Sequence, residues 1–419
     1  MSSNNFVDPT DYQVDSITID GIDVVGLFFS ISIFENIYSP VITGSIIIMD
    51  SDGARFIEDN GIEFIEPVTF SFKNASNQTL EFEGILNGLR NEEVKNAKKI
   101  YTIDFTSISV RENEKKFITK SFKEQAPEDI VREMIGEIGG TENIIQGSGK
   151  PMTFLGTRKR PTDIIKYVLT HGVSQKASVS NKENEREETS KGTTGYLCFE
   201  TLDGHRFVEL DELMDGNIGT NHNEYTVDRA NRSVSMDKAM KNVIHFKFNQ
   251  IGDFQSKLRS GAFKNIVVSF DLDKGYYKEI VYDDTSNMTD KQKEAAGDVP
   301  TRIMMRPYSN ENHQNSCEKA TDDKFDQSRL ALAQNTVRQN TANDQSGSFT
   351  LPPSFIIRAG DSFDVKIPKI ESEKGGGIDK KHSGKYIVKQ VGHHFLSTGK
   401  AYTKLTTIRS TTQQDDTDS

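Results

Sequence analysis

The chain has 419 residues, which is enough for two to four domains of ordinary size. Its 62 acidic residues outnumber its 51 basic residues, and the net charge of -11 argues against a general role in gripping nucleic acid, because phosphate binding needs clustered lysine and arginine. Hydrophobic residues make up only 34 % of the chain, so we expect long polar loops or an assembly in which partners cover part of the surface.

The sequence carries no targeting or redox motif. The N-terminal segment lacks the basic and apolar regions of a secretory signal, and no apolar run approaches the ~18 residues that span a bilayer. Cys198 and Cys317 stand outside any CxxC or Cys/His metal spacing, so we interpret both as reduced, small apolar residues. We therefore expect a soluble protein, made in a cytoplasm, that needs no cofactor.

Short strands of alternating hydrophobicity dominate residues 1–110, which we assign to a first β-barrel-like domain. One strand places five apolar residues on one predicted face: Val25, Leu27, Phe29, Ile31 and Ile33. Turns are predicted at five places: Asp20-Gly21, Asp52-Gly53, Asn60-Gly61, Asn74–Asn77 and Asn87-Gly88. Their spacing is typical of a small all-β barrel or sandwich.

A helical insert and a linker follow over residues 111–194. Pro127 opens an amphipathic helix, and Pro161, 34 residues later, opens a second one. Both contain the pattern Pro-x-Asp-Ile-(Val/Ile)-(Arg/Lys), which we interpret as two core-facing helices rather than a repeat array. The stretch from Ser174 to Gly195 has almost nothing to bury and predicts a mobile linker.

The rest of the chain is assigned to a second β-barrel-like domain with an insertion. Its first part covers residues 195–250 and contains a hairpin around the turn Asp203-Gly204. An irregular β insert follows over residues 251–325. Residues 326–409 complete the domain with a helix over 326–340 and the final strands.

The predicted fold class is α+β, mainly β, with two similar barrel-like β domains, a helical insert and irregular linking segments. The polar tail over residues 410–419 is predicted to be disordered.

No motif in the chain predicts catalysis or metal binding. The segment Gly147-Ser148-Gly149-Lys150 is like part of a phosphate-binding loop, but Ile144 and Pro151 stand where that motif needs Gly and Ser or Thr. His393 and His394 are neighbours in a predicted strand, so they should point to opposite faces and make ordinary polar contacts. We predict no catalytic, cofactor-binding or metal-binding residue, and the interface residues stay open.

Three short, separated basic runs occur in the chain: Lys98-Lys99, Lys115-Lys116 and Arg158-Lys159-Arg160. We expect these runs to contact acidic partner surfaces or water rather than DNA.

Two ordered sets of short motifs, one near each end of the chain, have a counterpart in a known family. The first set is Glu35–Pro40, Gly44, Ile46–Ser51, a short helical stretch, Gly61 and the strand Val68–Phe72. The second set is Arg358–Phe363, Gly384–Val388, Val391, His393-His394, a turn over Ser397–Lys400 and Tyr402–Arg409. In this order the motifs resemble the baseplate central hub protein of T-even-type phages, over nearly the whole chain. The same fold is shared by hubs of other contractile tails and by the valine-glycine repeat spike protein of type VI secretion.

The resemblance implies a non-enzymatic homotrimer in which each chain supplies two barrels to a ring of six. Such a ring would bind the six-fold tail tube protein on one face and a three-fold central spike protein on the other, with baseplate wedge proteins as further implied partners. It implies a place in the virion tail baseplate, after synthesis in the host cytoplasm. DNA would pass through the channel without specific binding, and an acidic or neutral lining would avoid contacts with phosphates. Because the sequence ends soon after the second barrel, we expect a separate hub subunit rather than a fused spike.

Three alternatives stay open. One is the hub of a related contractile injection system, which shares the fold. Another is a virion peptidoglycan hydrolase, although the acidic clusters Glu183–Glu188 and Asp415–Asp418 have no apolar neighbours that could raise a carboxyl pKa. The third is a receptor-binding adhesin, which predicts aromatic-rich loops, whereas the long loops here are rich in Lys, Glu, Ser and Asn.

Overall fold

The structure, a computed structural model, is mostly β, and it confirms the predicted α+β, mainly β class. It describes residues 6–51, 55–95, 98–146, 149, 151–172, 174, 195–227, 235–251, 254–261, 264–271, 276–283, 290–297, 302–308, 339, 345–369, 377–379 and 381–409.

The first strands wrap around one apolar core, and we call residues 12–107 the N-terminal module. Its strands are β1 (Tyr12–Ile19), β2 (Ile22–Asp23), β3 (Phe28–Asn36), β4 (Thr43–Ser51), β5 (Pro67–Asn74), β6 (Thr79–Lys95) and β7 (Lys98–Ser107). Two short helices accompany them: α1 (Phe56–Asn60) and α2 (Ser109–Lys115). Hydrogen bonding connects the strands in the order β3-β4-β7-β6-β5-β1-β2.

The next elements form the insert, residues 118–214. They are β8 (Ile118–Gln125), α3 (Pro127–Glu137), β9 (Glu142–Ile145), β10 (Met152–Lys159), α4 (Pro161–His171), β11 (Tyr196–Thr201), β12 (Gly204–Glu209) and α5 (Leu210–Met214). The β11–β12 hairpin, predicted as part of the second barrel-like domain, instead pairs with β9 in a separate three-stranded sheet. This contact is a parallel pairing of β12 with β9 across about 60 residues, which local sequence patterns do not encode.

The remaining elements form the C-terminal module, residues 221–251 and 345–409, and a small added sheet. The module contains β13 (Asn221–Thr226), α6 (Met236–Met240), β14 (His245–Ile251), β18 (Gln345–Leu351), β19 (Ser362–Lys366), β20 (Gly384–Leu396) and β21 (Lys400–Arg409). Between β14 and β18 lie α7 (Phe254–Ser260), β15 (Lys264–Asp271), β16 (Tyr276–Asp283), α8 (Asp290–Ala296) and β17 (Arg302–Tyr308). Strands β15, β16 and β17 form a separate sheet.

The two modules repeat one strand plan. In the C-terminal module the hydrogen-bonded order is β14-β18-β21-β20-β19-β13, which matches β3-β4-β7-β6-β5-β1 strand for strand and in the same order along the chain. One difference is direction, because β13 runs parallel to β19 whereas β1 runs antiparallel to β5. The modules are therefore copies of one topology with a changed edge strand.

Matching irregularities support this equivalence. A register shift lies between Leu86 and Gly88 in β6 and between Val388 and Gln390 in β20, at the same place in each final hairpin. The Leu86 N–H donates to the Glu66 carbonyl at 2.9 Å, and the Val388 N–H donates to the Asp361 carbonyl at the same distance. The predicted turn at Asn87-Gly88 is thus wrong, because the pair forms a bulge inside a long strand.

A bulge also changes the buried face of β3. The register shifts between Phe28 and Ser30, so Phe28, Ile31 and Ile33 are buried while Phe29 is exposed. The prediction that Phe29 shares the buried face is wrong because one extra residue reverses the alternation of a strand.

The insert contains a local duplication. Strands β8 and β10 pair antiparallel, and each leads into a helix that begins with proline. The Glu124 N–H donates to Thr153 Oγ1, and the Arg158 N–H donates to Thr119 Oγ1, both at 3.0 Å. The two donors, Glu124 and Arg158, are 34 residues apart, and so are the two acceptors, Thr119 and Thr153, so a local two-fold axis relates the two β-α units. Both helices face a shared core, as predicted.

Several predicted segments lie outside the described residues: the turn Asp52-Gly53, nearly all of the linker from Ser174 to Gly195, nearly all of the helix over 326–340, Cys317 and the tail over 410–419. Within the described ranges, no helix is both long enough and apolar enough to cross a membrane.

We predict that Gly44→Ala destabilises the N-terminal module by about 1–3 kcal/mol, because the added methyl overpacks the core. A Cβ at Gly44 would lie 2.2 Å from the Phe105 ring and 2.4 Å from the Ser32 carbonyl oxygen. Urea unfolding measures the change. Gly26→Ala is the control, since a Cβ there meets nothing within 4 Å. Equal losses in the two variants would contradict the packing argument.

Candidate functional site: the seam between the modules

Among the described strands, one antiparallel pair joins the two modules, and we call it the seam. Strand β20 pairs with β3 from Gln390 opposite Asn36 to Leu396 opposite Ser30, so both modules belong to one continuous sheet. On one face of the seam, His394 Nδ1 and Ser32 Oγ are hydrogen-bonded at 2.9 Å. The ring of Phe34 packs edge-on against His394, with 5.5 Å between the ring centroids.

Side chains of the C-terminal module complete the core of the N-terminal module. Phe395 stacks on Phe72 with 3.8 Å between ring centroids and meets Tyr12 edge-on. The Tyr12 hydroxyl donates to the Leu396 carbonyl at 2.8 Å, and Phe355 packs into the same cluster. Aromatic residues of this size contribute strongly to core stability, so the N-terminal module depends on its neighbour.

Glu35 connects three parts of the chain from a fully buried position on β3. The Leu202 N–H of the insert donates to Glu35 Oε1 at 2.9 Å, and the Ala359 N–H of the C-terminal module donates to Oε2 at 2.8 Å. Burial raises the pKa of the Glu35 carboxyl to about 7, although Arg358 and these N–H groups act in the opposite direction. Its hydrogen bonds exist only when all three parts are in place.

Asp361 forms a second buried centre next to Glu35. Its Oδ1 lies 2.8 Å from Arg206 Nη1, and its Oδ2 lies 2.8 Å from His222 Nε2. Arg206 also donates to the Ala359 carbonyl at 3.0 Å, which ties the insert to the C-terminal module. Burial acts to raise the pKa of Asp361, but the His222 hydrogen bond and the Arg206 charge hold it below its ordinary value.

Glu200, on β11 of the insert, adds a further contact between the insert and the N-terminal module. Its Oε2 accepts hydrogen bonds from Ser107 Oγ at 2.5 Å and from the Ile42 N–H at 3.2 Å, both in the N-terminal module. Glu35, Glu200 and Asp361 thus join the modules and the insert through hydrogen bonds to their carboxyl oxygens.

The histidine pair predicted from sequence lies in the seam, with its two rings in different surroundings. His393 is buried beside Phe355, and its Nδ1 lies 3.2 Å from Thr403 Oγ1. Burial lowers the pKa of His393 to about 3 and that of His394 to about 4. Both rings are therefore neutral at pH 7.

The other residues singled out from sequence have structural surroundings. Cys198 is buried in the insert, and burial raises the pKa of its thiol to about 12. The basic runs contact acidic neighbours of the same chain: Lys99 with Glu58 and Glu92, Lys115 with Glu112, Lys116 with Glu137, and Arg160 with Glu114. In the described part of the chain, no group of three or more His, Cys, Asp or Glu residues is arranged to hold a metal ion.

Sequence reasoning missed the polar junction. One signal was available, because Glu35 continues the alternation of Ile31 and Ile33 and so falls on a buried face. Arg206 and His222 gave no such signal, since their partner Asp361 lies more than 130 residues away.

Two tail proteins of known structure share this fold. One is the 43 kDa tail protein of prophage MuSo2 from Shewanella oneidensis, with a TM-score of 0.55 and 8 % identity, covering 95 % of this chain and 98 % of that one. The other is a tail protein from Neisseria meningitidis MC58, with a TM-score of 0.53 and 9 % identity, covering 95 % and 97 %. No protein-family model and no curated protein matches the sequence. The predicted resemblance to tail proteins is confirmed at the level of the fold.

We predict that Asp361→Asn lowers the free energy of unfolding by about 3 kcal/mol or more, because Arg206 would keep a buried charge without its partner. Chemical unfolding monitored by circular dichroism gives the value. Asp364→Asn is the control, since it lies three residues further along, on β19, and its side chain is only half-buried. A loss at Asp361 no larger than at Asp364 would contradict this role.

We also predict that the seam histidines contribute a loss of stability as the pH falls from about 6.5 towards 4, a change that Glu35 opposes because its pKa is raised in the folded state. Their folded-state pKa values of about 3 and 4 lie below the ordinary value, so protons bind the unfolded chain first and the stabilisation present above pH 6.5 is lost. The test is the slope of unfolding free energy against pH. His393→Gln should give a shallower slope than the unmodified chain, and an unchanged slope would count against the prediction.

Proposed function

We propose that the protein is a non-enzymatic structural hub of a contractile tail, acting as a homotrimer that adapts the six-fold tail tube to a three-fold central spike. The observation that carries this proposal is the repeated strand plan, in which six strands recur in the same chain order and the same neighbour order. The shared fold of two tail proteins supports the same class of role.

The repeat gives the chain a property that symmetry matching requires. Three identical subunits have only three-fold symmetry, but three chains with two like modules each present six like surfaces around a ring. One face of such a ring can bind a six-fold partner through the shared module topology. The other can bind a trimer through features that differ between the modules, such as the sheet of β15, β16 and β17.

The seam supports this function mechanically. Two modules joined only by a flexible linker would not hold a fixed angle, whereas β3 and β20 share a hydrogen-bonded ladder and a common aromatic core. The carboxyl groups of Glu200, Glu35 and Asp361 hold the insert against both modules. These ionisable groups have their hydrogen-bond partners inside the junction, so their role is structural.

The implied partners are the tail tube protein, the spike protein and the baseplate wedge proteins, and the implied location is the baseplate of a virion tail. A related contractile injection system would use the same geometry. DNA would pass through the ring without specific recognition, consistent with the net charge of -11.

We expect a solution mass of about 141 kDa, three times the 47.0 kDa chain, for the protein alone or co-expressed with its spike protein. Light scattering coupled to size exclusion provides the measurement. Deleting Ser410–Ser419 should leave the mass ratio unchanged. A monomer in both preparations would overturn the proposed function.

A further inference from the structure

We propose that the trimer closes through a second seam, in which β14 of one copy pairs antiparallel with the outer half of β6, Gly88–Lys95, of the next copy. This inference rests on the proposed function and assigns the surface that a second copy of the chain would occupy.

The argument begins with the repeat. A ring of six like modules has six contacts, three within chains and three between them. If the modules are equivalent, each contact between chains should reproduce the seam. The strand plan makes β14 the counterpart of β3 and β6 the counterpart of β20, so the seam of β3 with β20 predicts a pairing of β14 with β6.

Both predicted edges are open. Strand β14 pairs only with β18 among the described strands and ends the path of the large sheet. Strand β6 pairs with β5 only up to Ile85, and beyond that residue β7 is its one partner among the strands that the structure describes. Strand β20 divides its edge in the same way, since it pairs with β19 up to Ile387 and with β3 from Gln390 onwards.

The register follows from the hairpins. Strand β6 has a second register shift, between Arg90 and Glu93, that β20 lacks, so equivalent positions are counted along the partner strands β7 and β21. Glu93 pairs with Ile100 of β7, as His394 pairs with Tyr402 of β21, so Glu93 occupies the His394 position. Lys247 pairs with Ser348 of β18, as Ser32 pairs with Ser45 of β4, so Lys247 occupies the Ser32 position. These two assignments place Glu93 opposite Lys247 across the new contact.

The chemistry at this position is complementary. In the seam, Ser32 and His394 are joined by a hydrogen bond, and in the new contact a carboxylate faces an ammonium group. Both side chains are exposed, and neither has an ion-pair partner within the described part of the chain. Lys99 contacts Glu92 and Glu58 and leaves Glu93 unpaired.

The next position supplies an apolar contact. Val94 follows Glu93 and is 72 % exposed. The same register places Val94 opposite Phe246, which is only partly buried against the core of its module. Pairing would cover both side chains.

The charges also disfavour wrong pairings. A pairing of two β14 edges centred on Lys247, or of two β6 edges centred on Glu93, would place like charges opposite each other, which disfavours those pairings. A ring closed head to tail needs this selectivity, because every contact must join one β14 to one β6.

Charge exchange tests the contact in the full chain, with the spike protein present if the trimer needs it. Glu93→Lys and Lys247→Glu should each weaken the trimer at least about tenfold, and the double exchange should restore it. Glu83→Lys is the matched control, since this exposed glutamate pairs with Thr69 of β5 and lies outside the open half of β6.

Cross-linking gives an independent readout. In a Cys317→Ser background, the pair Glu93→Cys with Lys247→Cys should yield covalent trimers with a short thiol cross-linker, whereas each single cysteine should not. If the unmodified chain is trimeric but the exchanges have no effect and no cross-link forms, the second seam is wrong and the proposed function stands. If the chain is monomeric both with and without the spike protein, the second seam and the proposed function are both wrong.

Discussion

The pairing of β20 with β3 is the interaction on which the rest of the structure depends. It merges two modules into one sheet, and it brings Phe395 and Phe355 into the core of the N-terminal module. A slip of one residue would turn Phe395 away from that core and bring a polar neighbour inward. The register is therefore fixed by packing as well as by backbone hydrogen bonds.

The buried carboxylates make the junction selective. Removing a carboxylate from water is costly unless hydrogen bonds and opposite charge replace its hydration. Glu35 obtains this replacement from backbone groups of the insert and the C-terminal module, and Asp361 obtains it from Arg206 and His222. Because each centre is satisfied by more than one part of the chain, a misplaced insert or module leaves a charge unpaired.

Duplication and seam together explain how one chain could serve a ring. The two modules keep the same strand plan and even the same bulge in their last hairpins, at Asn87 and Lys389. The N-terminal copy leaves the outer half of β6 open where the C-terminal copy has β3 as its partner. The open edge is thus a consequence of duplication. Two modules in one chain make one contact with each other, and each module keeps one strand edge without a partner module.

The sequence by itself determined the elements whose causes are local: the helices that Pro127 and Pro161 begin, the hairpin at Asp203-Gly204, and the mainly β class with two similar modules. Only the tertiary structure decided the bulges that expose Phe29 and extend β6 through Asn87-Gly88, because a bulge depends on the partner strand. It also decided the pairing of β12 with β9 and the meeting of Glu35 and Asp361 with their partners. These contacts join residues far apart in the chain, and no local pattern of hydrophobicity or turn residues encodes which distant group will neutralise a buried charge.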